Sequence, residues 1–309
     1  MLANFFDKTK PINNIVLIFI FIVIYFTHFV LQQTITNADV LWLKTSVYFF
    51  FNLLFLIFCS YFFIKNGISN ENLHNTFIII LLYCIFPSTF ESENLLFVAL
   101  FFLFIYNNLA QLKGKGNKQL TLFDSGIYTG ISFLLFDWSI LFLAFIYTGV
   151  FLAQKVSFKN LISPIIGFIA PVFLFFTYCF LTDNTSLFVE KFAFNYSMNF
   201  HSYLTAPIQI SLIFISIALT VSIVFVVPKV LSISNPYRYQ YVLAIAMLFT
   251  SSLAILLDTT KNGNEFLLLF VPASIFMGRF LKTITSRILK EVFLISFAVF
   301  SLFILIKYP

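Results

Sequence analysis

Asp39, Glu91 and Asp137 are the acids of this chain whose positions could do chemistry together. Each falls in a short break between long apolar runs, so each carboxylate is tied close to the end of an apolar segment. A carboxylate held there can act as a general base toward a sugar hydroxyl or bind a divalent cation. Like charges confined to one thin layer repel unless a cation joins them. Lys261 and Lys44 lie in breaks of the same set, and a lysine can also hold a phosphate as a point charge. On this pattern Asp39 is the candidate catalytic residue, as base or cation ligand. Lys261, Glu91, Asp137 and Lys44 are the candidate substrate-binding groups. Asp258, Lys261 and Glu265 frame one further loop of the set. The pattern has room for a divalent cation at the acidic face and calls for no organic cofactor. The competing reading is that each acid only solvates its own loop.

Other chemistries find little support. His28, His74 and His201 are the only histidines, and no two have HxxxH or HExxH spacing. His74 is expected a membrane thickness from the other two, so a histidine-ligated iron centre is not expected. Cys59, Cys84 and Cys179 lie inside apolar runs without CxxC spacing and read as packing residues. The GxSxG and GxxxxGK[ST] motifs are absent, and no nucleic-acid partner is expected.

The elements that must position these acids follow from composition. The chain is 61% apolar and 10% charged, with a mean hydropathy of +0.99. A soluble domain carries about 25% charged residues. The apolar residues come in runs near the length of about 20 that a bilayer core requires, without the period-two alternation of a membrane barrel. The expected fold is therefore an all-α polytopic helical membrane protein of about eleven transmembrane helices. It forms one integral membrane domain over 1–309. The spans are 15–31, 45–64, 74–90, 95–112, 122–136, 138–153, 161–182, 207–227, 239–257, 265–281 and 291–306. The lipid bilayer is the partner this composition demands.

Charge placement sets the orientation. With the N-terminus in the cytoplasm and sides alternating, fourteen of the eighteen Lys and Arg fall inside. Lys44, Lys191, Lys261 and Lys307 fall outside. The C-terminus is then outside, and Asp39, Glu91, Asp137 and Glu265 share the outer face. Spans 122–136 and 138–153 are short, with Asp137-Trp138 between them, and read either as two tilted helices or as a re-entrant pair. Phe188, Phe192, Tyr196 and Phe200 recur every four residues in the outer segment 183–206. That rhythm predicts a helix over 187–200 lying in the membrane interface. The basic loop Lys113-Gly114-Lys115-Gly116 is expected to set orientation and touch anionic lipid.

Two resemblances add to this. Phe5-Phe6-Asp7-Lys8-Thr9-Lys10-Pro11-Ile12-Asn13, Leu122-Phe123-Asp124, Phe136-Asp137-Trp138-Ser139 and Lys261-Asn262-Gly263-Asn264-Glu265 resemble an uncharacterised flavobacterial inner-membrane family across nearly the whole chain. That likeness implies a multi-pass protein of the bacterial inner membrane, without an established activity. Residues 74–182 resemble, more distantly, the membrane module of the C-type (GT-C) glycosyltransferases. The shared pattern is a helix ending at a proline turn (Pro87), a return helix, a basic loop, a short helix bearing Gly126 and Gly130, and a second short helix. That likeness implies transfer from a polyprenyl-phosphate-linked glycan, with an acid of the first outer loop, here Asp39, as catalytic residue. This sequence departs from that module in having a loop of one acid and no soluble outer domain. Two further readings stay open: a non-enzymatic membrane subunit of an envelope assembly or export system, and a lipid or small-molecule transporter.

Overall fold

The polar breaks in the sequence become helix ends. In the computed structural model, residues 5–6, 11–36, 42–68, 73–114, 116–231 and 235–308 are described, and they are helical with no strand among them. The helices in order are α1 (Pro11–Thr36), α2 (Trp42–Lys65), α3 (His74–Ile85), α4 (Glu93–Ala110), α5 (Lys118–Leu135) and α6 (Leu141–Leu152). They continue with α7 (Phe158–Leu181), α8 (Thr185–Lys191), α9 (Ala206–Leu231), α10 (Asn235–Leu257), α11 (Leu267–Thr283) and α12 (Arg287–Lys307). Eight of these are long and apolar enough to cross a membrane: α1, α2, α4, α7, α9, α10, α11 and α12.

Every expected span coincides with a helix, but three fall outside those eight. α3 stops at twelve residues because Pro87 follows. A residue before proline is pushed out of the helical region, and Phe86 accordingly sits at φ −122°, ψ 75°. A 3-10 turn, Pro87–Glu91, then leads into α4. α6 also has twelve residues, which at 1.5 Å per residue is about 18 Å against a bilayer core of about 30 Å. α5 has eighteen residues but includes Lys118, Gln119, Asp124 and several hydroxyls.

The chain divides into two compact units. The first gathers described residues of Met1–Leu96, Phe200–Ile233 and Lys261–Pro309. Its centre is α3, all twelve of whose residues are buried. Around α3 pack α1, α2, α11 and α12, with α9 against α11. Tyr83 of α3 stacks on Phe90 (4.9 Å between ring centroids) and meets Phe21 of α1 and Phe270 of α11 edge-on. Polar ties finish the packing. The Ser211 hydroxyl donates to the Ile85 carbonyl at 3.1 Å, and the Asn52 amide donates to the Phe90 carbonyl at 3.0 Å.

The second unit gathers described residues of Phe97–Asn199 and Ser234–Thr260. Its tightest contact joins α5 to α7. A Cβ on Gly126 would overlap the Pro164 carbonyl, and one on Gly167 would overlap the Phe123 carbonyl. Small residues let helix backbones approach this closely in apolar surroundings, where dispersion replaces the hydrophobic drive. The Ser163 hydroxyl donates to the Gln119 carbonyl at 2.6 Å, and the Tyr147 hydroxyl donates to the Leu161 carbonyl at 3.0 Å. The Tyr239 hydroxyl of α10 reaches the carbonyls of Leu109 (2.8 Å) and Gly149 (3.3 Å). Lys113, expected to face lipid, places its Nζ 4.5 Å from the Tyr239 ring centroid. The Lys115 part of that expectation lies outside the described residues.

The segment 183–206 differs from the expected helix over 187–200. α8 ends at Lys191, and residues 192–200 are not helical. The four-residue aromatic rhythm is spent on a cluster instead. Phe192 and Phe194 both pack on Phe133, at 5.3 and 6.0 Å between centroids. Two residues apart, they would point to different sides of a helix. Phe194 sits at φ +43°, a left-handed conformation that turns the chain and brings both rings to Phe133. Phe188 packs on Phe176 of α7.

Candidate functional site

One cavity of about 530 Å³ opens at an end of the first unit. Five parts of the chain converge there: the last turns of α1, the Pro87 turn, the start of α9, the loop before α11 and the end of α12. Its wall is largely aliphatic and aromatic, with Ile85, Phe86, Pro87, Pro207, Ile208 and Ile304. Its polar groups are His28 and Gln32 from α1, Ser88 and Glu91 from the turn, Asn262 from the loop, and Lys307 and Tyr308 from the end of α12.

His28 is the unusual member. It is 5% exposed, and neither ring nitrogen has a hydrogen-bond partner among the described residues. Its ring lies 5.1 Å from Phe90, tilted by 31°. A buried polar group left unpaired costs about 1–3 kcal/mol, so such groups are normally bonded to protein, water or ligand. Part of the His28 side chain lines the cavity, while both ring nitrogens are themselves buried.

The loop roofing the cavity is built to stay folded. Gly263 takes φ +93°, a region open to glycine at little cost. This turn presents Asn262 to the cavity and sends Phe266 back to stack on Phe86 at 4.6 Å. Behind it Glu265 is fully buried and accepts a hydrogen bond from the Tyr203 hydroxyl. Lys261, 3% exposed, lies with its Nζ 4.3 Å from the Phe200 ring centroid and 5.7 Å from that of Tyr203.

The candidate residues therefore separate. Glu91 is exposed and lines the cavity. Lys261 is buried against aromatic rings behind the roof, and its neighbour Asn262 is the residue that lines the cavity. Lys44 is exposed on the first turn of α2. Asp137, in the second unit, pairs with Lys191 at 2.8 Å. Asp39 lies outside the described residues. Of the lysines, Lys307 is the one in the cavity wall. His28 and Lys307 were not singled out from sequence. A histidine inside an apolar run was the available signal for the first. The second sits at the very end of the last run and looks like an ordinary helix-terminal lysine.

The cavity wall thus combines a carboxylate, an ammonium, two amides and part of a buried imidazole with an apolar surface. Such a surface suits an amphiphile with a polar or anionic head. Among the described residues, no three His, Cys, Asp or Glu side chains converge as metal ligands.

The described residues, helical with eight helices long and apolar enough to cross a bilayer, are compatible with an integral membrane protein. More particularly, the chain belongs to a family of unknown function, DUF6427, whose family model matches residues 1–309. No curated protein and no solved structure matches the chain at a significant level.

Proposed function

We propose that this is a multi-pass protein of a bacterial inner membrane whose cavity takes the head of a lipid-linked glycan at the outer face, as a glycosyltransferase-like protein would. The observation that carries this reading is the join between the apolar wall and the polar groups His28, Glu91, Asn262 and Lys307. The wall would take the first isoprene units, and Lys307 and His28 the phosphate. A carboxylate would then accept the proton of an attacking sugar hydroxyl. Glu91 is the described carboxylate in the wall. Asp39 follows in sequence α1, the helix supplying His28 and Gln32, and remains the first-choice base from the C-type resemblance. A divalent cation between the two acids is part of the same proposal. In this proposal the shorter α3, α5 and α6 also cross, giving eleven passages with the N-terminus inside, and the charge asymmetry of the loops then puts the cavity on the outer face.

The test is a deletion strain profiled for lipid-linked glycans and complemented with Asp39→Asn or Glu91→Gln. At least one variant should leave a lipid-linked precursor accumulated, with protein levels unchanged. An unaltered glycan profile in the deletion strain would remove the reading. Reporter fusions at Lys115 and Asn195 should report opposite sides, and fusions reporting the same side would overturn the orientation.

A non-enzymatic membrane subunit of an envelope assembly or export system is the second reading. It is favoured by exposed apolar side chains of the second unit on α8 and in the stretch between α8 and the 3-10 turn at His201. Val189 is 69%, Tyr196 67% and Met198 60% exposed. A complete glycan profile together with co-purification of one stoichiometric partner would select it.

A further inference from the structure

At the opposite end of the first unit from the His28 cavity runs a second, smaller depression of about 280 Å³. It lies between the early turns of α1 and the late turns of α2, with Thr76 of α3 at its floor. Leu17, Ile18, Leu56, Ile57 and Ile64 make it apolar, while Asn14, Ser60 and Tyr61 add polar edges. Ile57 and Ile64 are each 41% exposed. An aliphatic slot of this kind on helices of membrane-crossing length suits an acyl chain, because no backbone polar group needs satisfying there.

One basic side chain sits at its mouth. Lys65 is exposed on the last turn of α2, with its Nζ 5.8 Å from the ring centroid of Tyr61, a residue lining the slot. A lysine at such a position lays its stem along apolar surface and keeps the ammonium in the headgroup layer. In sequence, Lys8 and Lys10 stand a few residues before Asn14. The loop charges make this the basic side of the chain, and basic residues at a membrane surface attract anionic lipid.

We infer that this slot is a binding site for one anionic phospholipid, with an acyl chain between α1 and α2 and its phosphate on Lys65. The site is independent of the glycan reading and stands if that reading fails. Juxtaposing an aliphatic slot with a single ammonium selects both parts of such a lipid. A zwitterionic lipid would fill the slot equally well but would present no net negative charge to Lys65.

The test titrates the detergent-purified full chain with phosphatidylglycerol or phosphatidylcholine and counts retained lipid by native mass spectrometry. Phosphatidylglycerol should be retained at the lower concentration. Lys65→Gln should raise the concentration needed roughly five-fold, and Lys65→Arg should restore it. Ile57→Trp, which fills the slot, should abolish retention of the first phosphatidylglycerol even with Lys65 intact. Circular dichroism confirms that each variant is folded, so a lost adduct reports the site. Equal retention of the two lipids would overturn the inference, as would a Lys65→Gln protein that holds phosphatidylglycerol like the parent. Occupation of the slot by a second copy of the chain, seen as a dimer that lipid does not disperse, would overturn it too.

Discussion

The two units differ in what lies beside their polar groups. In the second unit many are spent on the protein itself, although the buried Ser132 and Ser139 hydroxyls have no hydrogen-bond partner among the described residues. Asp137 pairs with Lys191, the Asn108 amide donates to the Ser125 hydroxyl at 3.3 Å, and Tyr239 bonds two carbonyls. The closest helix pair is zipped backbone against backbone through Gly126 and Gly167. In the first unit the centre is equally dense, yet one end stays open and a buried imidazole there has no hydrogen-bond partner among the described residues. Satisfied polar groups rigidify a fold. A buried unpaired one costs about 1–3 kcal/mol, which a ligand able to reach it would recover. On the proposed function, the first unit faces the ligand and the second serves as scaffold.

The largest expected effect breaks the scaffold side of that contrast. Gly126→Leu would drive a side chain into the Pro164 backbone, which cannot move aside as a flexible side chain could. Overpacking costs about 1–3 kcal/mol even against yielding neighbours, so a loss of about 3 kcal/mol or more is expected, read as a lowered melting temperature in detergent. Gly116→Leu, where nothing lies within 4 Å of a Cβ, is the silent control. A Gly126→Leu protein as stable as the parent would mean that the two helices are free to separate.

How much of this was legible in the sequence depends on the length scale of the signal. Helix positions were, because polar breaks and Pro87 punctuate long apolar runs, and each break limits where a helix can continue. The number of helices long enough to cross was harder. α3 and α6 fall short at twelve residues each, and hydropathy over a window cannot see a turn such as Asp137–Ile140 trimming a span. The segment 187–200 shows a different limit. Its aromatic rhythm is compatible with a helix, but the tertiary cluster on Phe133 recruits Phe192 and Phe194 together and ends the helix early. Glu91 was visible as a candidate from its tether to the Pro87 turn. His28 and Lys307 were not, because they are brought to one cavity by residues almost three hundred positions apart, and single-chain spacing carries no such information.

The next expected effect sharpens the ligand side. His28→Leu removes an imidazole that has no hydrogen bond to the described residues and replaces it with an apolar side chain of similar volume. Exchanging an unpaired buried polar group for an apolar one of like shape is close to neutral or stabilising. Stability should therefore change by less than about 1 kcal/mol, while complementation of the deletion strain falls roughly ten-fold or more, as for loss of a hydrogen bond to a charged ligand of about 1.5–3 kcal/mol. Glu91→Gln should show the same separation of stability from function. A His28→Leu protein that unfolds readily would place the imidazole among the structural groups and dissolve the contrast between the units.

The smallest expected effect tests whether Asp137 belongs to the scaffold or to a site. Its carboxylate lies 2.8 Å from the Lys191 ammonium, with the side chains 35% and 28% exposed. The same turn is fastened a second way, since the Trp138 indole donates to the Asn195 carbonyl at 3.2 Å. A partly exposed pair of this kind contributes about 0.2–1 kcal/mol, because water screens it and two long side chains must be held still. A double-mutant cycle with Asp137→Asn and Lys191→Gln should therefore return a coupling of about 0.5 kcal/mol in thermal or denaturant unfolding. Each single variant should still complement the deletion strain, and added salt should shrink the coupling. Loss of complementation by Asp137→Asn at full stability would give Asp137 a direct role beyond its pairing with Lys191, and the chemistry could then no longer be confined to the first unit.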